Sequence, residues 1–159
     1  MVLVDNGRAF LLMKRHRGVH KGQYVPVGGH IEPYETPLAA AIRETKEESG
    51  IDVKDIRLCG IFTETSPAKL NDSLYCYHAK VSADTRFDET LREEGVLKWV
   101  EYSRFKDLNA PPTDYRIYQD VLAGKFFVYD VIYDKDMRML RMSDELTGRV
   151  VAGECPAQH

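Results

Sequence analysis

The chain is poor in cysteine, has no long apolar run and carries no excess of positive charge. Each shortfall removes a class of function. Its three cysteines, Cys59, Cys76 and Cys155, form no CxxC pair, so a disulfide framework is not expected and reduced thiols in a cytoplasmic protein are. His16, His20, His30 and His78 lack metal-ligand spacing, which argues against zinc. No apolar stretch approaches the ~18 residues of a membrane span, and no secretory leader pattern opens the chain. Membrane insertion and export are therefore not expected. A net charge of −3 argues against a general nucleic-acid-binding surface. Internal repeats and low-complexity tracts are absent.

What is present suits one domain of 159 residues with 43% apolar content, enough for a core. Val2-Leu3-Val4 and Ala9 to Met13 flank Asp5-Asn6-Gly7, a hairpin signal. Further strands are predicted over 54–63, 73–81 and 96–102. A helix is predicted over 113–123, with Ile117, Val121 and Leu122 on its apolar face. A terminal hairpin is predicted from 126–133 and 137–142 around Asp134-Lys135-Asp136. Residues 1–147 are expected to form the domain. Residues 148–159 lack periodicity and read as a loose tail. Strands mixed with two helices predict an α/β fold. Oligomeric state leaves no sequence signal.

The densest chemistry lies in GHIEPYETPLAAAIRETKEESGI, residues 29–51. Thr36 suits a helix N-cap, Pro37 the first helical position, and Gly50 the left-handed residue after the last turn. Leu38, Ala41, Ile42 and Thr45 recur at helical spacing and predict the buried stripe, with the carboxylates on the other side. Glu44, Glu47 and Glu48 stand at i, i+3 and i+4. Like charges there repel by a few tenths of a kcal/mol per pair. A hard divalent cation with oxygen ligands would relieve them. A solvated acidic helix face is the plainer alternative.

The order Gly29, Glu35, Arg43-Glu44, Glu47-Glu48, Gly50, Ile51 resembles the Nudix hydrolase signature, G-x5-E-x7-R-E-U-x-E-E-x-G-U with U a bulky apolar residue. Thr45 at the first U is the one departure; it keeps a β-branched methyl and can turn its hydroxyl to the backbone. Relatives usually place a proline directly before the two glycines. Here Val27 stands there and Pro26 precedes it. The resemblance implies a Nudix fold, a mixed β-sheet sandwiched between α-helices. It implies magnesium, with manganese as a substitute, held by Glu44, Glu47, Glu48 and the Gly29 or Gly28 carbonyl. It gives Glu35 and Arg43 a structural role, as a pair holding the loop on the helix.

The flanks extend the likeness to MutT-type members, which cleanse the nucleotide pool and so serve DNA repair. Such enzymes carry an acid a few residues before a tryptophan, as metal ligand or base. Glu93 and Glu94 both suit that place before Trp99. Phosphate charge calls for cations, and Lys14-Arg15-His16-Arg17 with His20-Lys21 form the densest basic cluster. Arg15 or Lys14 would reach a phosphate if the strand end abuts the box; a solvated loop is the alternative. His30 adjoins the box. Downstream, Pro111-Pro112-Thr113-Asp114 is similar to the MutT-type segment whose last residue reads the purine edge. A carboxyl buried on a base can be protonated and donate as well as accept. Asp114 also suits a helix cap. Phe10, Tyr24, Tyr77 and Phe126 are candidate stacking partners, though residues of this kind are more often core.

The resemblance thus implies a magnesium-dependent diphosphatase acting on a nucleotide substrate, with 8-oxo-dGTP cleaved to the monophosphate and pyrophosphate. No nucleic-acid or membrane partner is expected. Another nucleoside diphosphate derivative such as ADP-ribose is the alternative, since Pro67 lies near a position associated with such members. A non-catalytic Nudix-fold binding module is a third, disfavoured because such proteins usually lose box glutamates.

Overall fold

The hairpin signal at the start is resolved into β1 (Val2–Asp5) and β2 (Ala9–Arg15) in a computed structural model that describes residues 1–67, 71–89 and 94–153. The turn closes on its own side chains: Asp5 Oδ1 accepts from the Gly7 amide at 2.7 Å and Asn6 Oδ1 from the Ala9 amide at 2.9 Å. Asx side chains of this kind imitate a backbone turn. The chain continues through β3 (Tyr24–Pro26), helix α1 (Pro37–Ser49), β4 (Asp55–Thr65), β5 (Asn71–Lys80), β6 (Gly95–Glu101) and a 3-10 helix (Tyr102–Asp107). It ends with α2 (Asp114–Leu122), β7 (Phe127–Tyr133), β8 (Met139–Asp144) and β9 (Arg149–Gly153).

All nine strands among the described residues join one sheet in the order β3-β2-β1-β5-β4-β7-β8-β9, with β6 paired to β2. β1 runs parallel to β5 and β4 parallel to β7, while the other pairings are antiparallel. The sheet is therefore mixed. Strand alternation splits its side chains between two cores. Leu3, Phe10 and Leu12 pack with Ile117, Tyr118 and Val121 of α2. Val2, Val4, Leu11 and Met13 pack on the other side with Ala41 of α1 and with Ile51 and Val53. This is the architecture expected from the sequence, a mixed sheet between helices.

Helix α1 departs from the predicted stripe. Its buried residues are Ala40, Ala41, Thr45 and Ser49, whereas Leu38 is 42% exposed and Ile42 38%. Small side chains let the helix lie close to the sheet, and the polar ones among them are satisfied locally. Thr45 Oγ1 donates to the Ala41 carbonyl at 2.7 Å and Ser49 Oγ to the Thr45 carbonyl at 2.6 Å. The expected hydroxyl-to-backbone turn of Thr45 is thus observed. The caps also form as expected: Thr36 Oγ1 accepts from the Ala39 amide at 3.2 Å, and Gly50 adopts φ 75°. The rotated face has a consequence. Glu44 and Glu48 lie within the arc that faces the sheet rather than opposite it.

Three other departures are smaller. Leu122 is 41% exposed, and Tyr118 takes its place on the buried face of α2. The segment after Gly148, read as loose, includes β9, which pairs antiparallel with β8. β4 runs two residues beyond its predicted end, to Thr65. Cys59 and Cys76 are buried free thiols on β4 and β5, with their sulfurs 3.5 Å apart. Cys155 lies outside the described residues.

Candidate functional site

The loop after β3 reaches α1 through backbone groups. Val27 accepts from the Val2 amide at 2.8 Å, and the next amide, Gly28, donates to Glu48 Oε2 at 2.8 Å. A Cβ at Gly29 would collide with the Glu44 carboxylate, so any larger residue there would push that side chain aside. Arg43 ties the two ends of this segment. Its guanidinium forks onto Glu35, with Nε to Oε1 and Nη2 to Oε2 both at 2.9 Å. Nη2 also donates to the His30 carbonyl at 3.1 Å. Nη1 reaches Glu44 at 3.0 Å and Glu47 at 3.1 Å. A planar fork suits this bidentate task. The Arg43 hydrogen bond holds the Glu35 carboxyl below its ordinary pKa, and Glu35 holds Arg43 above its own.

Glu48 sits differently. Burial pushes its carboxyl up to about 7, against the Gly28 amide that favours the charged form. Glu94 and Glu44 push the same way, and Arg15 opposes them. Among the described residues no three His, Cys, Asp or Glu side chains converge as a ready cation cage. Glu44 and Glu47 instead lean on Arg43. The donor set nevertheless fits a divalent cation: carboxylate oxygens, one of them desolvated beside other acids, next to a glycine loop with close backbone. Hard oxygen ligands of this kind suit magnesium or manganese. Glu94 also fixes the basic loop, its carbonyl accepting from the His16 amide at 2.8 Å. Glu93 lies outside the described residues.

Beside this loop opens a cavity of about 410 Å³. Gly28, Gly29, His30, Ala40 and Ala41 form one wall, so the box borders the cavity directly. Arg15 and His20 enter it from the basic cluster, and Phe62, Tyr75 and Tyr77 supply aromatic surface. Asp114 and Glu64 also line it. Asp114 is 4% exposed; its Oδ2 accepts from the Tyr118 hydroxyl at 2.9 Å and its Oδ1 from the Thr113 hydroxyl at 3.4 Å. Burial pushes its carboxyl up to about 7, aided by the charge of Glu64. Glu64 is 9% exposed and accepts from the Tyr133 hydroxyl at 2.9 Å. Its pKa is raised by burial.

Several candidates sort cleanly. Arg15 lines the cavity, whereas Lys14, its neighbour on β2, is exposed with its ammonium 5.9 Å from the Tyr24 ring centroid. Strand alternation sends the two to opposite faces. Tyr77 lines the cavity, but Phe10 is fully buried among Phe105, Tyr102 and Tyr118, and Phe126 is 51% exposed. Trp99 packs edge-on against Phe87 in the α1-side core. Asp114 is the first residue of α2, not its cap; Thr113 holds the cap position without a side-chain bond to the helix backbone. Glu64 escaped the sequence reading because the predicted strand stopped at Thr63. One more pair of residues places Glu64 on the inward row with Phe62, an acid where the alternation calls for an apolar side chain.

Comparison with known proteins adds a family. The model of the NUDIX domain matches residues 1–121. A pig asymmetrical bis(5'-nucleosyl)-tetraphosphatase is 43% identical over 56 residues, covering 35% of this chain and 37% of the relative. A putative 8-oxo-dGTP diphosphatase 3 of Mycobacterium tuberculosis is 27% identical over 111 residues, 68% of this chain and 51% of the relative. The chain thus spans about a third to a half of the length of these relatives. The crystal structure of a mutator MutT protein from Bacillus halodurans superposes with a TM-score of 0.76 at 25% identity, covering 91% of this chain and 95% of that one.

Proposed function

The chain belongs to the Nudix family, and from that premise we propose that it is a magnesium-dependent pyrophosphohydrolase of nucleoside triphosphates, with 8-oxo-dGTP as its preferred substrate. The observation that carries this reading is one cavity bordered both by the glycine loop that touches Glu44 and Glu48 and by a separate buried carboxyl. The box loop and α1 form one wall, and the buried Asp114 lies among the other lining residues. Substrate phosphates would lie toward Glu44, Glu47, Glu48 and Glu94, and the base toward Asp114.

Each residue has a task that its surroundings permit. Glu44, Glu47 and Glu48, with the Gly29 carbonyl, would hold magnesium, or manganese in its place. The bound ion would polarise the phosphate chain and lower the pKa of an attacking water. Glu94, whose charge acts on Glu48, is the acid available to accept a proton from that water. Arg15 offers a fixed positive charge on the cavity wall to a phosphate oxygen. Arg43 and Glu35 position the loop. Asp114, desolvated and held near neutrality, can donate or accept at a purine edge. An oxidised guanine, which gains a ring N–H and a carbonyl, suits such a group.

A second reading is hydrolysis of a dinucleoside polyphosphate, favoured by the 43% identity with the pig tetraphosphatase. Both readings are tested by incubating the full chain with magnesium and 8-oxo-dGTP, dGTP, other nucleoside triphosphates, diadenosine tetraphosphate, ADP-ribose and capped RNA. The expected outcome is highest kcat/KM for 8-oxo-dGTP with release of pyrophosphate. Preference for diadenosine tetraphosphate would favour the second reading. Preference for ADP-ribose would sink both, and binding without turnover would mark a regulator.

A further inference from the structure

Glu64 is costly where it stands. The inward row of β4 carries Phe62 and Glu64, and the inward row of the neighbouring β7 carries Phe127, Tyr129, Val131 and Tyr133. β4 and β7 pair in parallel register, with Glu64 beside Val131. A carboxyl buried in an apolar row is expensive unless it is paired and hydrogen-bonded. Its direct partner here is a neutral phenol, the Tyr133 hydroxyl at 2.9 Å. A leucine would pack in that row without this cost. The side chain is held at the cavity wall, where Asp114 also opens. Asp114 is likewise bonded by hydroxyls, those of Tyr118 and Thr113. Two carboxyls, each bonded by hydroxyl donors, line the cavity with acceptor capacity to spare.

Resting on the reading of the cavity as a nucleotide site, we propose that Glu64 is a specificity-determining residue: its carboxyl accepts the adjacent ring N–H and exocyclic amine of a guanine-type base and rejects adenine-type bases. A carboxylate offers only acceptors. A guanine edge presents two donors side by side, which one carboxylate takes together. An adenine edge presents a ring-nitrogen acceptor beside its amine, and that acceptor would face a carboxylate oxygen with no proton between them. A site built to bond a donor discriminates strongly against the analogue that lacks it, because the buried polar groups are then left unpaired. Phe62, 3% exposed on the same row, closes the apolar surface beside the edge. The 8-oxo modification leaves both donors in place, so this selection applies equally to guanine and its oxidised form.

The test is the ratio of kcat/KM for dGTP to that for dATP, in the wild type and in Glu64→Gln, with magnesium and the full chain. Melting curves run alongside, and titration calorimetry with dGMP and dAMP reads base binding without chemistry. The amide keeps the shape and exchanges one acceptor for a donor. The expected result is at least a tenfold fall in the dGTP-to-dATP ratio, with the melting temperature unchanged or higher and the same change of preference between dGMP and dAMP. Tyr133→Phe, which removes the phenol holding Glu64, is expected to lower the ratio by a smaller factor, and it decides the matter if Glu64→Gln does not fold. An unchanged ratio in a folded variant overturns the proposal, as does an equal loss on both nucleotides. A wild type that hydrolyses no nucleotide overturns the proposed function instead. The monophosphate titrations then still decide Glu64: equal binding of dGMP and dAMP by the wild type would refute it.

Discussion

The box carboxyls on α1 and the carboxyls that line the cavity carry the same functional group and behave as opposites. On α1 the acids are crowded, charged and shared by one guanidinium: Arg43 bonds Glu35, Glu44 and Glu47 at 2.9 to 3.1 Å. At Glu64 and Asp114 the acids are buried, separated in sequence, and bonded by tyrosine and threonine hydroxyls. Burial raises the pKa of both Glu64 and Asp114, whereas the Arg43 hydrogen bond lowers that of Glu35. The first arrangement favours a cation and phosphate chemistry. The second favours hydrogen bonds to an uncharged ring. Glu48 stands between them, a half-buried box residue whose pKa is raised by desolvation.

The sharpest way to break this contrast is at the box. Glu48→Gln and Glu47→Gln are each expected to lower kcat by roughly 10³-fold, the scale of losing a principal charge-stabilising group. The melting temperature should hold, and for Glu48→Gln rise, because a desolvated acid is removed. Near-normal turnover in both variants would refute the cation role. Arg43→Ala should follow, with kcat down roughly tenfold and a lower melting temperature, since it unties Glu35 and frees three acids to repel. A variant with normal kcat would show that the loop holds its place without the fork.

Asp114 tests the other end through pH. Its carboxyl is raised from 3.8 to about 7 in the folded chain. The folded chain therefore keeps a proton that the unfolded chain has already released. Stability contributed by this group declines as pH rises from about 4 to about 7, and the penalty is complete above that window. Asp114→Asn should melt higher than the wild type at pH 8 and close to it at pH 4. Parallel melting curves at both pH values would show that Asp114 does not carry the shift. The smallest effect belongs to Thr45→Val, which loses the 2.7 Å bond to Ala41 within the α1 stripe. A cost of about 1 kcal/mol is expected, read by chemical denaturation, with kcat within about twofold. A larger loss of kcat would mean that α1 shifts when its buried face is disturbed.

The same contrast explains what could be read from the sequence. The box is local: Gly29 to Ile51 is one loop and one helix, so the spacing alone brings Glu35 to Arg43 and Glu48 to Gly28. The caps Thr36 and Gly50 were legible for the same reason. Local spacing was less sure about which face is buried. It weighted Leu38 and Ile42 by size, whereas close approach to the sheet selects Ala40, Ala41, Thr45 and Ser49. The base end is not local. Glu64 and Asp114 meet only because β4, β7 and α2 assemble around one cavity, and Tyr133 links to Glu64 across 69 residues of chain. No periodicity announces such a meeting. A strand ended two residues early was enough to hide it.

On the proposed function, the box acids and the cavity acids do separate work on one substrate. The most direct test is a single set of kinetics: kcat/KM for 8-oxo-dGTP, dGTP and dATP, measured with magnesium for the wild type, Glu48→Gln and Asp114→Asn. Glu48→Gln is expected to lower all three values by a common factor, while Asp114→Asn changes the ratios among them. Equal depression of every substrate by both variants would contradict it.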